Sequence, residues 1–186
     1  AKRLPSTTDP CGETKYSASN DSDEWQVVGR SDFQWSANHS VFGRYMATSF
    51  KAPAPFSKTQ NILATATPGL DNLAQSAVVG DTMVLGSNTV NSLRFAFNRT
   101  AIDRLDTPLF DPYALGSNVY SYDPGAMVLA VTGGFNIANP GGGLFITNSS
   151  QVSDDLTLVR GNHELSVGTN VAFWTHDFFS HARSGG

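Results

Sequence analysis

Along much of this chain the hydrophobic and polar residues alternate. In "WQVVGRSDFQWS", Trp25, Val27, Phe33 and Trp35 share a parity with the small Gly29 and Ser31, opposite Gln26, Arg30, Asp32 and Gln34. A period of two marks a strand whose two faces meet different surroundings. After "ANH", the segment "SVFGRYMATSF" sets Val41, Gly43, Tyr45 and Ala47 against Ser40, Arg44 and Thr48, although Phe42, Met46 and Phe50 blur the pattern. In "NTVNSLRFAFNRTAID", Leu93, Phe95 and Phe97 oppose Ser92, Arg94, Ala96 and Asn98. Near the end, Leu165, Val167, Val171 and Phe173 oppose Glu164, Ser166, Gly168 and Asn170. With "SAVVGDTMVLG" and "DDLTLVR" added, the patterning predicts an all-β chain of antiparallel up-and-down strands. They fall near residues 25–36, 39–51, 76–86, 89–102, 153–160 and 163–176, paired in sequence order.

The connections alternate in length. "ANH", "GSN" and "GN" close the three pairs as tight turns, and Gly86 and Gly161 supply the conformations such turns need. Between the pairs run long segments, about 53–75 and 103–152, and Pro53, Pro55, Pro68, Pro108, Pro112, Pro124 and Pro140 all fall in them. Within the second, short strands are expected at Met127–Val131 and Leu144–Thr147. Long connections at one end and short turns at the other are the rule in outer-membrane barrels, and strands of ten residues or more suit a tilted crossing. Periodicity alone leaves a sandwich core and a lipid face as equal readings of the apolar parity.

Composition narrows the choice. Only 15% of residues are charged, below the quarter usual in soluble domains. Twelve Lys and Arg against sixteen Asp and Glu give a net charge of −4 with no basic cluster, which removes nucleic acid as a partner. The single cysteine, Cys11, excludes an internal disulfide and a Cys-based zinc site. His39, His163, His176 and His181 show no metal-ligand spacing, "NDSDE" at 20–24 lacks the features of a calcium loop, and no Gly-x-Ser-x-Gly elbow is present. No metal, cofactor or catalytic residue is assigned, and the chain is read as not an enzyme.

Three segments carry a resemblance to a known family. "DEWQVVGRSDFQWSANHSVFGRYMATSF", "SNTVNSLRFAFNRTAID" and "QVSDDLTLVRGNHELSVGTNVAF" resemble successive barrel segments of TonB-dependent outer-membrane receptors, in particular the Oar-like group with an N-terminal carboxypeptidase-regulatory-like domain. The resemblance implies a barrel of about 22 strands around a plug in the bacterial outer membrane. It further implies uptake of a scarce nutrient, a peptide or carbohydrate among the possibilities, driven by the TonB complex. Partners would be outer-membrane lipid, the TonB complex and that small ligand. Neither a plug nor a TonB box is visible in the sequence, and its opening "AKRLPSTTDP" and closing "HARSGG" look like cut ends. Residues 1–186 are accordingly expected to be an interior fragment of the barrel. The alternatives are a passive porin, a soluble secreted β-sandwich binding module and a secreted β-rich hydrolase.

Candidate site residues follow from the barrel reading. Arg30, Asp32, Arg44, Arg94 and Glu164 lie on the polar parity and would face the lumen, as ligand or plug contacts or as a ladder of charge pairs on a wet wall. Phe56, Tyr113, Tyr120, Tyr122 and Phe135 are aromatic candidates in the long loops, which are expected outside the cell. Trp25, Tyr45, Phe95, Phe97, Phe173 and Trp174 could form a girdle, coat a lipid face or fill a core.

Overall fold

The computed structural model describes residues 4–107, 109, 111–120, 123, 125–139 and 141–180, apart from the side chain of Lys58. Its strands are β1 (Asp23–Ser36), β2 (His39–Ala52), β3 (Gly69–Leu85), β4 (Thr89–Leu105), β5 (Met127–Ala130), β6 (Asn136–Asn139), β7 (Gly143–Arg160) and β8 (His163–Ser180). Six of them form one antiparallel sheet in the order β1-β2-β3-β4-β7-β8, and β5 and β6 pair separately. Neighbours in the large sheet are neighbours in sequence, apart from the excursion through β5 and β6. This is the up-and-down order the patterning predicts.

The turns fix the register. Gly86 and Gly161 adopt φ of +70° and +62°, where a Cβ would be strained. The first two turns lean on the strand beyond them, because Asn38 O accepts from Val84 N and Asn88 O accepts from Val159 N, both at 2.8 Å. Residues directly opposite one another share a face, so the ladders carry one parity across the whole sheet. Val79 stands opposite Phe95, Phe95 opposite Val152, and Val152 opposite Val171. The other face carries Arg94 opposite Gly80 on one side and opposite Ser153 on the other.

The large apolar residues are not in a core. Phe33, Phe95, Phe97 and Phe173 are 61, 48, 37 and 69% exposed, whereas the buried hydrophobic residues are alanines plus Ile62 and Ile137. A sandwich would have covered those rings with a second sheet; among the described residues none does. Toward the loop end the apolar face stops at a polar row. Gln75, Arg99, Asn148 and Thr175 stand in register, Gln75 Nε2 donates to Tyr45 Oη (2.6 Å), and Arg99 Nη1 donates to Asn148 Oδ1 (2.8 Å). Toward the turn end, two carboxylates interrupt the same face and each is partnered: Asp81 by His39, and Asp154 by Asn91 Nδ2 at 2.7 Å.

Several strands run past the bounds the pattern indicates, β4 to Leu105 and β8 to Ser180 among them, and two are much longer. β3 begins at Gly69 rather than residue 76, and β7 at Gly143 rather than 153, so the long connections shrink to 53–68 and 106–142. The extra turns read "GLDNLAQ" and "GLFITNSSQV", in which neither parity is consistently apolar. Residues 69–74 and 143–147 lie beyond the polar row, where alternation loses its cause while the backbone ladder continues; Ser149, Ser150 and Gln151 lie inside it, opposite Asn98, Phe97 and Ala96, and their small polar side chains hide the pattern of β7. The expected strand at Leu144–Thr147 is therefore part of β7 and not a loop element. The one at Met127–Val131 is present as β5, ending at Ala130.

At the loop end the connections fold into a cap. In the first connection a short helix, α1 (Pro55–Thr59), packs on a 3-10 turn (Ile62–Ala64), and that turn meets β6 of the β5–β6 hairpin in the second. Ala54, Ile62, Ala64, Ala126, Ile137 and Ala138 are buried there. Thr65 Oγ1 accepts from Ala138 N (3.2 Å) and donates to Ile62 O (2.9 Å), linking the two connections. Ahead of β1, Tyr16 Oη donates to Leu63 O at 2.9 Å, which ties the leading segment to the same cap. Pro108, Tyr122, Pro124, Pro140 and His181 lie outside the described residues.

Candidate functional site

The five charged candidates all project from the face opposite Phe95, Phe97 and Phe173, since they share the even parity of β1, β2, β4 and β8. The structure brings four of them toward the middle of the sheet. Glu164 stands apart, at the turn end of the edge strand β8, next to the Arg160–His163 pair that closes the ladder.

Around Arg30 the geometry is closed on itself. Its Nη2 and Nε donate to Asp32 Oδ1 (2.6 Å) and Oδ2 (2.9 Å), a bidentate arrangement within one strand. The guanidinium lies 4.2 Å from the ring centroid of Phe42. Phe42 in turn lies against the backbone of Gly80, where an added Cβ would come within 2.1 Å of the ring. Gly80, Phe42, Arg30 and Asp32 thus form a stacked series on the polar face. Phe42, which blurs the alternation of β2, is the seat of a guanidinium, and its place on the polar parity is explained.

Arg94 belongs to a second group. Its Nη1 sits 3.6 Å from Asp155 Oδ2, and Asp155 lies over Gly168, where a Cβ would meet the carboxylate oxygen at 2.3 Å. Val78 and Ala96 floor a hollow of about 520 Å³ whose wall includes Arg94, Asp155, Gln151, Ser153 and Asn170. Such a basin offers amides, a hydroxyl and a charge pair over an apolar floor, the chemistry suited to a small polar solute or a peptide segment. Asp155, Gln151, Ser153 and Asn170 are not evident as partners from sequence, because the register that places β7 and β8 beside Arg94 crosses the long second connection.

The loop aromatics do not converge. Phe56 is half-buried in α1 and Phe135 half-buried at the β5–β6 turn, while Tyr113 and Tyr120 are 69 and 74% exposed on the second connection. No ring contact joins any of these among the described residues; Tyr122 lies outside them. Of the girdle candidates, Trp174 sits on the polar face, with the even parity of β8, and near the loop end beside His176 and Phe178. That position follows from the strict parity of β8: Phe173 already occupies the apolar side.

An open sheet with one bare apolar face and one polar, charge-bearing face is stable only where those two faces meet lipid and water respectively. Neither the curated proteins nor the solved structures give a match to this chain. The family described as "Outer membrane beta barrel domain" matches it over residues 2–186, nearly its whole length. The chain belongs to the outer membrane beta barrel family and is a protein of the bacterial outer membrane, in contact with its lipid.

Proposed function

We propose that these strands are one stretch of the barrel of a TonB-dependent receptor that takes up a scarce nutrient, with the apolar face toward lipid, the polar face lining the lumen and the capped end outside the cell. The observation that carries the reading is the cap. Parts of the two long connections pack against each other around buried Ile62, Ile137, Thr65 and Asn139, standing where incoming ligand would first meet the barrel. The resemblance of three segments to Oar-like receptors supports the same reading. Among the described residues β1 and β8 do not pair with each other, and in this reading the barrel closes through further strands. A plug and a TonB box would belong to the rest of such a receptor.

Uptake by cells decides between this reading and a passive porin. Accumulation of the nutrient should stop when the TonB complex is deleted or the proton gradient collapsed. Uptake that continues unchanged in both conditions means a passive pore.

A further inference from the structure

One pairing on the polar face runs against the stability of the sheet. Arg30 stands directly opposite Arg44, and like charges in register destabilise neighbouring strands. Arg30 is accounted for by Asp32 and Phe42. Arg44 is not: among the described residues it makes no hydrogen bond, ion pair or ring contact. The carboxylates that share its face are already committed or distant. Asp32 is held by Arg30, Asp155 is held by Arg94, Glu24 lies at the loop end of β1, and Glu164 lies at the turn end of β8. The middle of this wall therefore carries Arg30, Arg44 and Arg94 against Asp32 and Asp155, with the excess positive charge at Arg44.

The place of Arg44 gives that charge a use. Arg44 is directly opposite Val78, Val78 is opposite Ala96, and Ala96 is opposite Gln151. Arg44 is not itself in the lining of the hollow that Val78 and Ala96 floor and that Gln151, Ser153 and Asn170 wall on the far side, but it stands one strand away on the same face, directly opposite Val78. Three strand spacings, about 14 Å, separate Arg44 from Gln151. That span matches a compact solute with an anionic end and hydroxyl or amide groups at the other.

We propose that Arg44, backed by the immobilised Arg30, is an anion-receiving site on the wall, taking a carboxylate or phosphate oxygen of a group seated in the Val78–Ala96 hollow. A guanidinium presents paired donors to such oxyanions, and a fixed second guanidinium beside it adds charge without moving. The ligand also removes the repulsion between the two arginines, so its binding is coupled to the stability of the sheet. The same chemistry has two sources: a free anionic solute, or a carboxylate from a segment of the receptor that enters the lumen. The proposal rests on the polar face being the lumen, and it does not depend on TonB.

The test uses the complete receptor in detergent and measures its thermal midpoint with inorganic phosphate against chloride at matched ionic strength. For a free solute, phosphate raises the wild-type midpoint by a few degrees in a saturable way, and the rise is lost in Arg44→Gln but kept in Glu164→Gln. For an internal carboxylate, phosphate has no effect, Arg44→Gln lowers the midpoint and Arg44→Lys restores it. If phosphate has no effect and Arg44→Gln leaves the midpoint unchanged or raises it, nothing anionic is bound there and the proposal is overturned. It is equally overturned if Arg44→Gln destabilises and Arg44→Lys does not restore, because the side chain then acts through packing. Loss of TonB dependence in cells would sink the receptor reading and leave these measurements untouched.

Discussion

The middle of the sheet and its loop end are built from the same six strands, yet they obey different rules. In the middle, Leu93, Phe95 and Phe97 alternate strictly with Arg94, Ala96 and Asn98, and among the described residues nothing covers the rings. Past Gln75, Arg99 and Asn148 the alternation dissolves, and small buried residues such as Ala54, Ala64 and Ala138 appear for the first time. The contrast teaches that a period of two is imposed by the surroundings and not by the strand. Lipid on one side enforces it; water on both sides lets it lapse; and the cap, which has an interior of its own, resembles a small soluble core.

The largest effect should come from placing a charge in the middle of the apolar face. Phe95→Arg is expected to cost about 2–4 kcal/mol in folding into bilayers, whereas Ala101→Arg, on the same face but beyond the polar row, should cost about 0–1 kcal/mol. Equal costs at the two positions would erase the boundary drawn at Arg99. In the cap the governing effect is a buried hydroxyl. Thr65→Val strands Ala138 N and Ile62 O, and should weaken the cap locally by about 1–3 kcal/mol. Limited proteolysis should then cut the 106–142 connection faster while the sheet stays intact. Faster cleavage of the strands as well would mean that cap and sheet are one cooperative unit.

The turns give a smaller effect. Gly161→Ala forces a Cβ into φ +62° and should cost about 1 kcal/mol, read as a lower unfolding midpoint in urea. The smallest expected change is Ala96→Ser, on the polar face of the same strand as Phe95, at under about 0.5 kcal/mol. A large loss there would imply that the polar face is dry.

These two regions also explain how far the sequence could be read. The six strands, their pairing and the three turns were legible because the pattern is strict where lipid meets one face, and because Gly86 and Gly161 mark their corners. The first residues of β3 and β7 were not, since "GLDNLA" and "GLFIT" lie beyond the polar row where neither parity is consistently apolar, and the small polar Ser149, Ser150 and Gln151 hide the pattern where β7 passes Phe97. At the site, parity identified Arg30, Asp32, Arg44 and Arg94 as sharing a face. It could not show that Phe42 supports Arg30 over Gly80, or that Asp155 reaches Arg94, because these depend on the registers between β2 and β3 and between β4 and β7. The cap partners Thr65 and Ala138 are 73 residues apart, and nothing local in either segment signals the other.

The central claim is that odd-numbered residues of β4 face lipid and even-numbered residues face water. Single cysteines at 93 through 98, in a protein with Cys11 replaced by serine, can be labelled in intact outer membranes with a water-soluble maleimide. Labelling should be fast at 94, 96 and 98 and slow at 93, 95 and 97. Fast labelling at 93, 95 and 97 with protection of the others, or equal labelling at all six, would contradict the account.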